Sequence, residues 1–218
     1  YTPWAPTYAV EFGPCRAEDA RVTVVLSPDT SALILDLIEG AEESIAIEQA
    51  YITNETRYEL NPYLAAAINA SRRGVVVQIL LDSAWFNTED DADNDEMVAV
   101  INRIAAAEGL PLEARLADIE ANNLAKIHNK GVIVDGRAVL VSSINWNANS
   151  PAFNREAGVI IEHPAIAAYY TAVFLDDWNA SKGSGAGAAP GPDRLKIILA
   201  ACILVWLIGL YLYRRRRT

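Results

Sequence analysis

The chain has 218 residues, 52% of them hydrophobic, with two cysteines and a formal net charge of −10. That length holds one domain with a full core plus an accessory segment, and two cysteines exclude a disulfide framework. Up to residue 180 there are 11 basic and 27 acidic residues, so the domain gains little from displacing the counterions of a polyanion, and non-specific nucleic-acid binding is disfavoured.

Residues 1–20 open YTPWAPTYAVEFGPC and read as a connector into a domain that begins near Arg21. The start at Tyr1, with Met97 the sole methionine, reads as a fragment or a processed product. Residues 21–26 run into β-branched side chains and predict a strand. Ser27-Pro28 offers a cap and a first-turn residue for a helix whose apolar positions Leu33, Ile34, Leu37 and Ile38 recur at helical spacing through about Glu43. Residues 44–52 predict a second strand, 62–73 an Ala-rich helix closed by Gly74, and 75–82 a continuously apolar strand of the kind covered on both faces.

The acidic run 89–96 follows. Asp91, Asp93 and Asp95 have the first ligand spacings of a calcium loop, but Glu96 replaces the turn glycine and Asn102 the closing glutamate. The run therefore reads as solvated charges ahead of a helix over 95–108 that ends at Gly109. A short strand is predicted at 112–116, a hairpin around Asp135-Gly136, a strand at 157–161 and a helix over 164–179. Strands alternating with helices predict an α/β sandwich. Tyr51, Trp85, Phe86 and Trp146 lie near strand ends, where they either line a substrate channel or pack in the core and its rim.

The hairpin carries the chemistry. His128-Asn129-Lys130 is followed after four residues by Asp135, and after six more by Ser142-Ser143-Ile144-Asn145. A strand's side-chain period of two puts His128 and Lys130 on one face and Asn129 and Asp135 on the other. Asp-Gly between two apolar runs predicts a tight antiparallel return that brings Ser143 and Asn145 back toward His128. An imidazole, an ammonium, a hydroxyl and an amide in one cluster suit a phosphodiester: the imidazole can attack phosphorus while Lys130 and Asn145 hold the non-bridging oxygens.

This pattern resembles the HKD motif of the phospholipase D superfamily, H-x-K, four residues, D, six residues, G-S-x-N, with Glu156 at the place of a following glutamate. The resemblance extends over nearly all of residues 21–179, including the closing Phe174-Leu175-Asp176-Asp177-Trp178. It implies a phospholipase D-like α/β/α sandwich with a mixed central sheet and a phosphohistidine intermediate on His128. It also implies that Lys130, Ser143 and Asn145 contact the phosphate, that Glu156 orients the imidazole, and that no metal or cofactor takes part. Asp135, the third member of the motif, is counted with His128, Lys130 and Glu156 among the catalytic residues, though it reads as a hydrogen-bonding residue at the hairpin more than as a proton donor. Ser142 stands where the family has glycine, adding a Cβ where the backbone approaches the phosphate.

The family pairs two such motifs, one imidazole attacking and the other protonating the leaving oxygen. This chain has one. His163 lacks a lysine two residues on and precedes a helix, so the second motif is expected from a homodimer or from a missing N-terminal repeat.

Residues 181–193 are rich in Gly, Ala and Pro and read as a flexible linker. From 197 to 213 no residue is charged, with Arg194 and Lys196 before the run and Arg214 to Arg217 after it. Residues 194–218 are therefore expected to form a single-pass transmembrane helix with a cytoplasmic basic tail, the domain lying outside the cytoplasm at the cell membrane. A cleaved sorting tail would leave the domain on the same side. Cys202 falls in this run and is not expected to meet Cys15, whose state the sequence leaves open.

Together these features predict a membrane-anchored phosphodiesterase that hydrolyses or transfers phospholipid phosphodiesters. The alternatives are a metal-independent endonuclease and a catalytically inactive binding module.

Overall fold

The structure is a computed structural model describing residues 11–181, apart from 55, 57, 58 and 89–92. Seven strands form one mixed sheet in the order β1-β7-β6-β5-β2-β3-β4. These are β1 (Arg21–Ser27), β2 (Ser44–Gln49), β3 (Val76–Leu81), β4 (Leu112–Leu116), β5 (Lys130–Val134), β6 (Ala138–Ser142) and β7 (Glu156–Glu162). β2, β3 and β4 run parallel, and every other neighbouring pair is antiparallel. Helices α1 (Leu33–Glu39), α2 (Pro62–Arg72), α3 (Asn94–Glu108) and α4 (Pro164–Ala180) complete the fold.

Strand alternation divides the core. Ile45, Ile47, Val77, Ile79, Val132 and Val134 point to the side of α1, α2 and α3 and join Ile34, Ile38, Leu64, Ile68 and Ile101 in the larger cluster. Leu80, Ile133 and Val139 point the other way, where Ala167, Phe174 and Trp178 of α4 cover them. This is the expected α/β/α sandwich with a mixed sheet.

Most element ends follow local signals. Asn61 caps α2 by accepting from the N–H groups of Tyr63 and Leu64, with Pro62 at the first helical position. Gly109 ends α3 in the left-handed conformation at φ 65°. Asp135 and Gly136, at φ 52° and 60°, make the tight return between β5 and β6.

The first helix differs from expectation. It starts at Leu33 and ends at Gly40, because Ser27 remains in β1 and its hydroxyl is engaged elsewhere, donating to Asn154 O at 2.8 Å and accepting from the Glu156 N–H at 3.1 Å. Ser181, assigned to the linker by its composition, instead finishes the domain. It is fully buried, donates to Asp177 O and accepts from the Asp118 N–H.

The localisation is corrected. Among the described residues no helix is long and apolar enough to cross a membrane, so a single-pass protein with an extracytoplasmic domain has no support here. The uncharged run 197–213 on which that expectation rested lies outside the described residues, as do the linker from residue 182, Cys202 and the first ten residues of the connector.

Candidate functional site

The hairpin sets the site. β5 pairs antiparallel with β2, placing Lys130 directly opposite Gln49, and with β6, so the chain returns past Ser142 at the end where β5 begins. His128 is exposed just before that end, whereas Lys130 is 4% exposed and its Nζ donates to the His128 carbonyl oxygen at 2.9 Å. An ammonium folded back onto the backbone of the histidine two residues earlier keeps both functional groups at the strand's mouth.

Glu156, at the start of β7, lies within electrostatic reach of Lys130. Its Oε1 accepts from Ser150 Oγ at 2.5 Å and from Asn154 Nδ2 at 3.0 Å. Ser150 Oγ in turn accepts from the Asn145 N–H at 2.8 Å, and the Ser143 N–H donates to Ala157 O at 3.0 Å. The Ser143 and Asn145 loop is thereby tied to the Glu156 segment. Asn145 Oδ1 is buried with no hydrogen-bond partner among the described residues.

Charge follows this geometry. Burial pushes the His128 imidazole below its ordinary value, the Lys130 and Lys126 charges push it further, and Asp82 only partly opposes them. The ring is therefore neutral at pH 7, with a lone pair available. Burial also lowers Lys130, opposed by Glu156. Burial raises Glu156, but hydrogen bonds from Ser150, Asn154 and Ser143 and the charge of Lys130 together outweigh it, so this carboxyl lies below its usual range and is ionised.

Asp135 is not brought into this cluster. It sits at the far end of β5, where its carboxylate accepts from the N–H groups of Glu42, Glu43 and Ser44 and from Arg137. It fastens the hairpin to the loop before β2. Ser142 pairs with Gly158 across the β6 and β7 ladder. A Cβ built on Gly158 would lie 2.6 Å from that of Ser142, so the side chain added on β6 is accommodated by the one missing on β7. The Ser142 hydroxyl accepts from the Ile144 N–H at 2.9 Å and shapes the turn toward Asn145.

The aromatic set divides. Trp146 is fully buried and packs 5.3 Å from the ring of Tyr63, whereas Trp85 and Phe86 are exposed beside one another. Tyr51 is half-buried and its hydroxyl accepts from Asn147 Nδ2. Of the acidic run, Asp93 stands at the N-cap position of α3, Asp95 and Glu96 lie in its first turn, and 89–92 are outside the described residues.

Sequence reasoning passed over Asp82, Gln49 and Ser150. Asp82 is fully buried, and its carboxylate accepts from the N–H groups of Ile127 at 2.6 Å and Ala84 at 3.2 Å and from Asn87 Nδ2 at 2.8 Å. It pins the residue before His128 to the end of β3. A carboxylate closing the apolar run 75–81 was the available signal. A pocket of about 240 Å³ opens on the α4 side of the same strand mouth, lined by Glu48, Asn129, Tyr170 and Phe174 among others.

A family model described as cardiolipin synthase, PLD-like domain, matches residues 34–178. The chain is 28% identical over 110 residues to mitochondrial cardiolipin hydrolase of Danio rerio, covering 50% of this chain and 42% of that protein. It is 28% identical over 168 residues to phospholipase D of Rickettsia conorii, covering 76% of this chain and 71% of that one. Among solved structures, Nuc of Salmonella typhimurium, a phospholipase D family member, aligns with a TM-score of 0.60 at 28% identity, over 75% of this chain and 97% of Nuc. NucT of Helicobacter pylori shares the fold at a TM-score of 0.58 and 18% identity, over 74% and 98% of the two chains.

Proposed function

Since the chain belongs to the phospholipase D superfamily through its PLD-like domain, we propose that it is a phosphodiesterase acting on phospholipid through a covalent phosphohistidine on His128, without a metal. One observation carries the reading: an exposed, neutral imidazole beside a buried ammonium that is itself within reach of an ionised carboxylate.

In the proposed reaction an imidazole nitrogen of His128 attacks phosphorus and the ester P–O bond breaks. The leaving oxygen takes its proton from a second imidazole, which then activates water, or an acceptor alcohol in transfer, to release the phosphoryl group. Lys130, Ser143 and Asn145 hold the non-bridging oxygens, whose charge grows in the transition state. Glu156 orients the imidazole. The second imidazole comes from another copy of the chain or from a second repeat.

Two considerations support lipid as the substrate. The relatives named above are a phospholipase D and a cardiolipin hydrolase, and the acidic domain disfavours a polyanion. The test is incubation with phospholipid vesicles in chelator. Release of headgroup or of phosphatidic acid is expected, with loss of the activity in Lys130→Ala on the order of a hundred- to a thousandfold. Degradation of plasmid DNA with untouched vesicles would reverse the substrate assignment, and a metal requirement would sink the mechanism.

A further inference from the structure

The face of β2 that carries Ile45 and Ile47 into the larger core ends in Gln49. By strand alternation that position takes an apolar side chain, yet it holds a primary amide that is 0% exposed. Neither Gln49 Nε2 nor Gln49 Oε1 has a hydrogen-bond partner among the described residues. Burying an amide in this way is unfavourable, and folded proteins leave few such groups without a reason.

The ladder supplies the reason. Gln49 lies directly opposite Lys130 in the antiparallel pairing of β2 with β5, so the two side chains leave the sheet on the same face, with Cβ atoms about 5 Å apart. Lys130 Nζ has three N–H donors and makes a side-chain hydrogen bond to the His128 carbonyl oxygen. That bond uses one donor and leaves two, and the unpartnered oxygen across the ladder belongs to Gln49. Resting on the phosphodiesterase reading above, we propose that Gln49 is a positioning residue: when the substrate phosphate engages one of these donors, the Gln49 side-chain carbonyl accepts from the other and fixes the direction of the Lys130 ammonium.

The charged and titratable groups around Lys130 are Glu156 from β7, Asp82 from the end of β3, and Lys126 and His128 from the segment leading into β5. Gln49 differs from all of them in having no titratable group, so it aims the ammonium without competing for its charge.

The test uses Gln49→Met, which keeps length and removes the polar atoms, and Gln49→Glu, which keeps an acceptor. Turnover is measured on bis(4-nitrophenyl) phosphate, and the Lys130 ammonium is titrated by nitrogen-15 NMR in inorganic phosphate, its signal assigned with Lys130→Arg. Gln49→Met is expected to lower kcat about ten- to a hundredfold with KM within about twofold, with folding unimpaired and the Lys130 titration moved to lower pH. Gln49→Glu is expected to restore kcat to within a few-fold and move the titration to higher pH. An unmoved Lys130 titration in Gln49→Met overturns the assignment, and this readout decides even if the diester is not turned over. Activity surviving Lys130→Ala overturns the phosphodiesterase reading itself, whereas an inactive Lys130→Ala beside a fully active Gln49→Met removes Gln49 alone.

Discussion

At the scale of single residues, Ser142 shows how a departure from a motif is absorbed. Read locally, it adds a Cβ beside the phosphate site; read across the ladder, it faces Gly158, where a second Cβ would come within 2.6 Å. Gly158→Ala is expected to destabilise the fold by about 1 to 3 kcal/mol through overpacking. Ser142→Gly in the same chain should recover most of that loss, read as the urea midpoint. Equal losses in the single and double variants would contradict the pairing.

Asp135 makes a second test at this scale. Burial raises its carboxyl, but the N–H groups of Ser44, Glu43 and Glu42, with Arg137, outweigh burial and hold it below the usual carboxylate range. A carboxyl lowered on folding contributes stability that is fully present above its unfolded value of about 4 and is lost as pH falls below it. Asp135→Ala, which takes the carboxylate from the N–H groups of Glu42, Glu43 and Ser44, is expected to cost about 1 to 2 kcal/mol at pH 7, and less at pH 3. A pH-independent loss in urea unfolding would refute this account.

At the scale of elements, Glu48 and Asp177 join β2 to α4. Burial and the neighbouring Asp177 raise the Glu48 carboxyl to about 7, while Glu48 Oε2 accepts from Asn129 Nδ2 at 2.9 Å and Asn122 Nδ2 donates to Asp177 at 2.6 Å. Because this carboxyl is raised on folding, its contribution is fully present below the unfolded value of about 4.5 and is lost as pH climbs toward 7. Glu48→Gln keeps the acceptor for Asn129 and removes the proton dependence. It should stabilise the domain at pH 8 on the order of 2 kcal/mol relative to the parent and flatten the decline between pH 5 and 8. Parallel stability profiles for the two chains would contradict a Glu48 carboxyl raised on folding.

The elements also show what local pattern can and cannot reveal. The Asp135-Gly136 hairpin, β4 and the left-handed end of α3 at Gly109 follow from residues within a few positions of each other. The start of α1 does not, because Ser27 serves equally as a helix cap or as a partner for a distant strand, and it takes Asn154 and Glu156, some 127 residues away. The motif was legible for the same reason as the hairpin: its spacing is local. Asp82 and Gln49 acquire meaning only when β3, β2 and β5 lie side by side, and no periodicity within one strand announces that.

At the scale of the whole molecule, one motif supplies one imidazole and one ammonium, and the proposed reaction needs two imidazoles. Activity should therefore rise more than linearly with protein concentration when the second copy is supplied by association, and a steep fall on dilution is the expected signature. The acidic balance of the domain and its family relationship favour the proposed lipid substrate, while the proposed nucleophile belongs to the chain itself.

The most direct measurement is of that nucleophile. After brief exposure to a phosphodiester, quenching at alkaline pH and proteolysis, mass spectrometry should find the phosphoryl adduct on the peptide carrying His128, and His128→Ala should lack both the adduct and turnover by many orders of magnitude. Steady turnover by His128→Ala, with no adduct on the parent chain, would contradict the account.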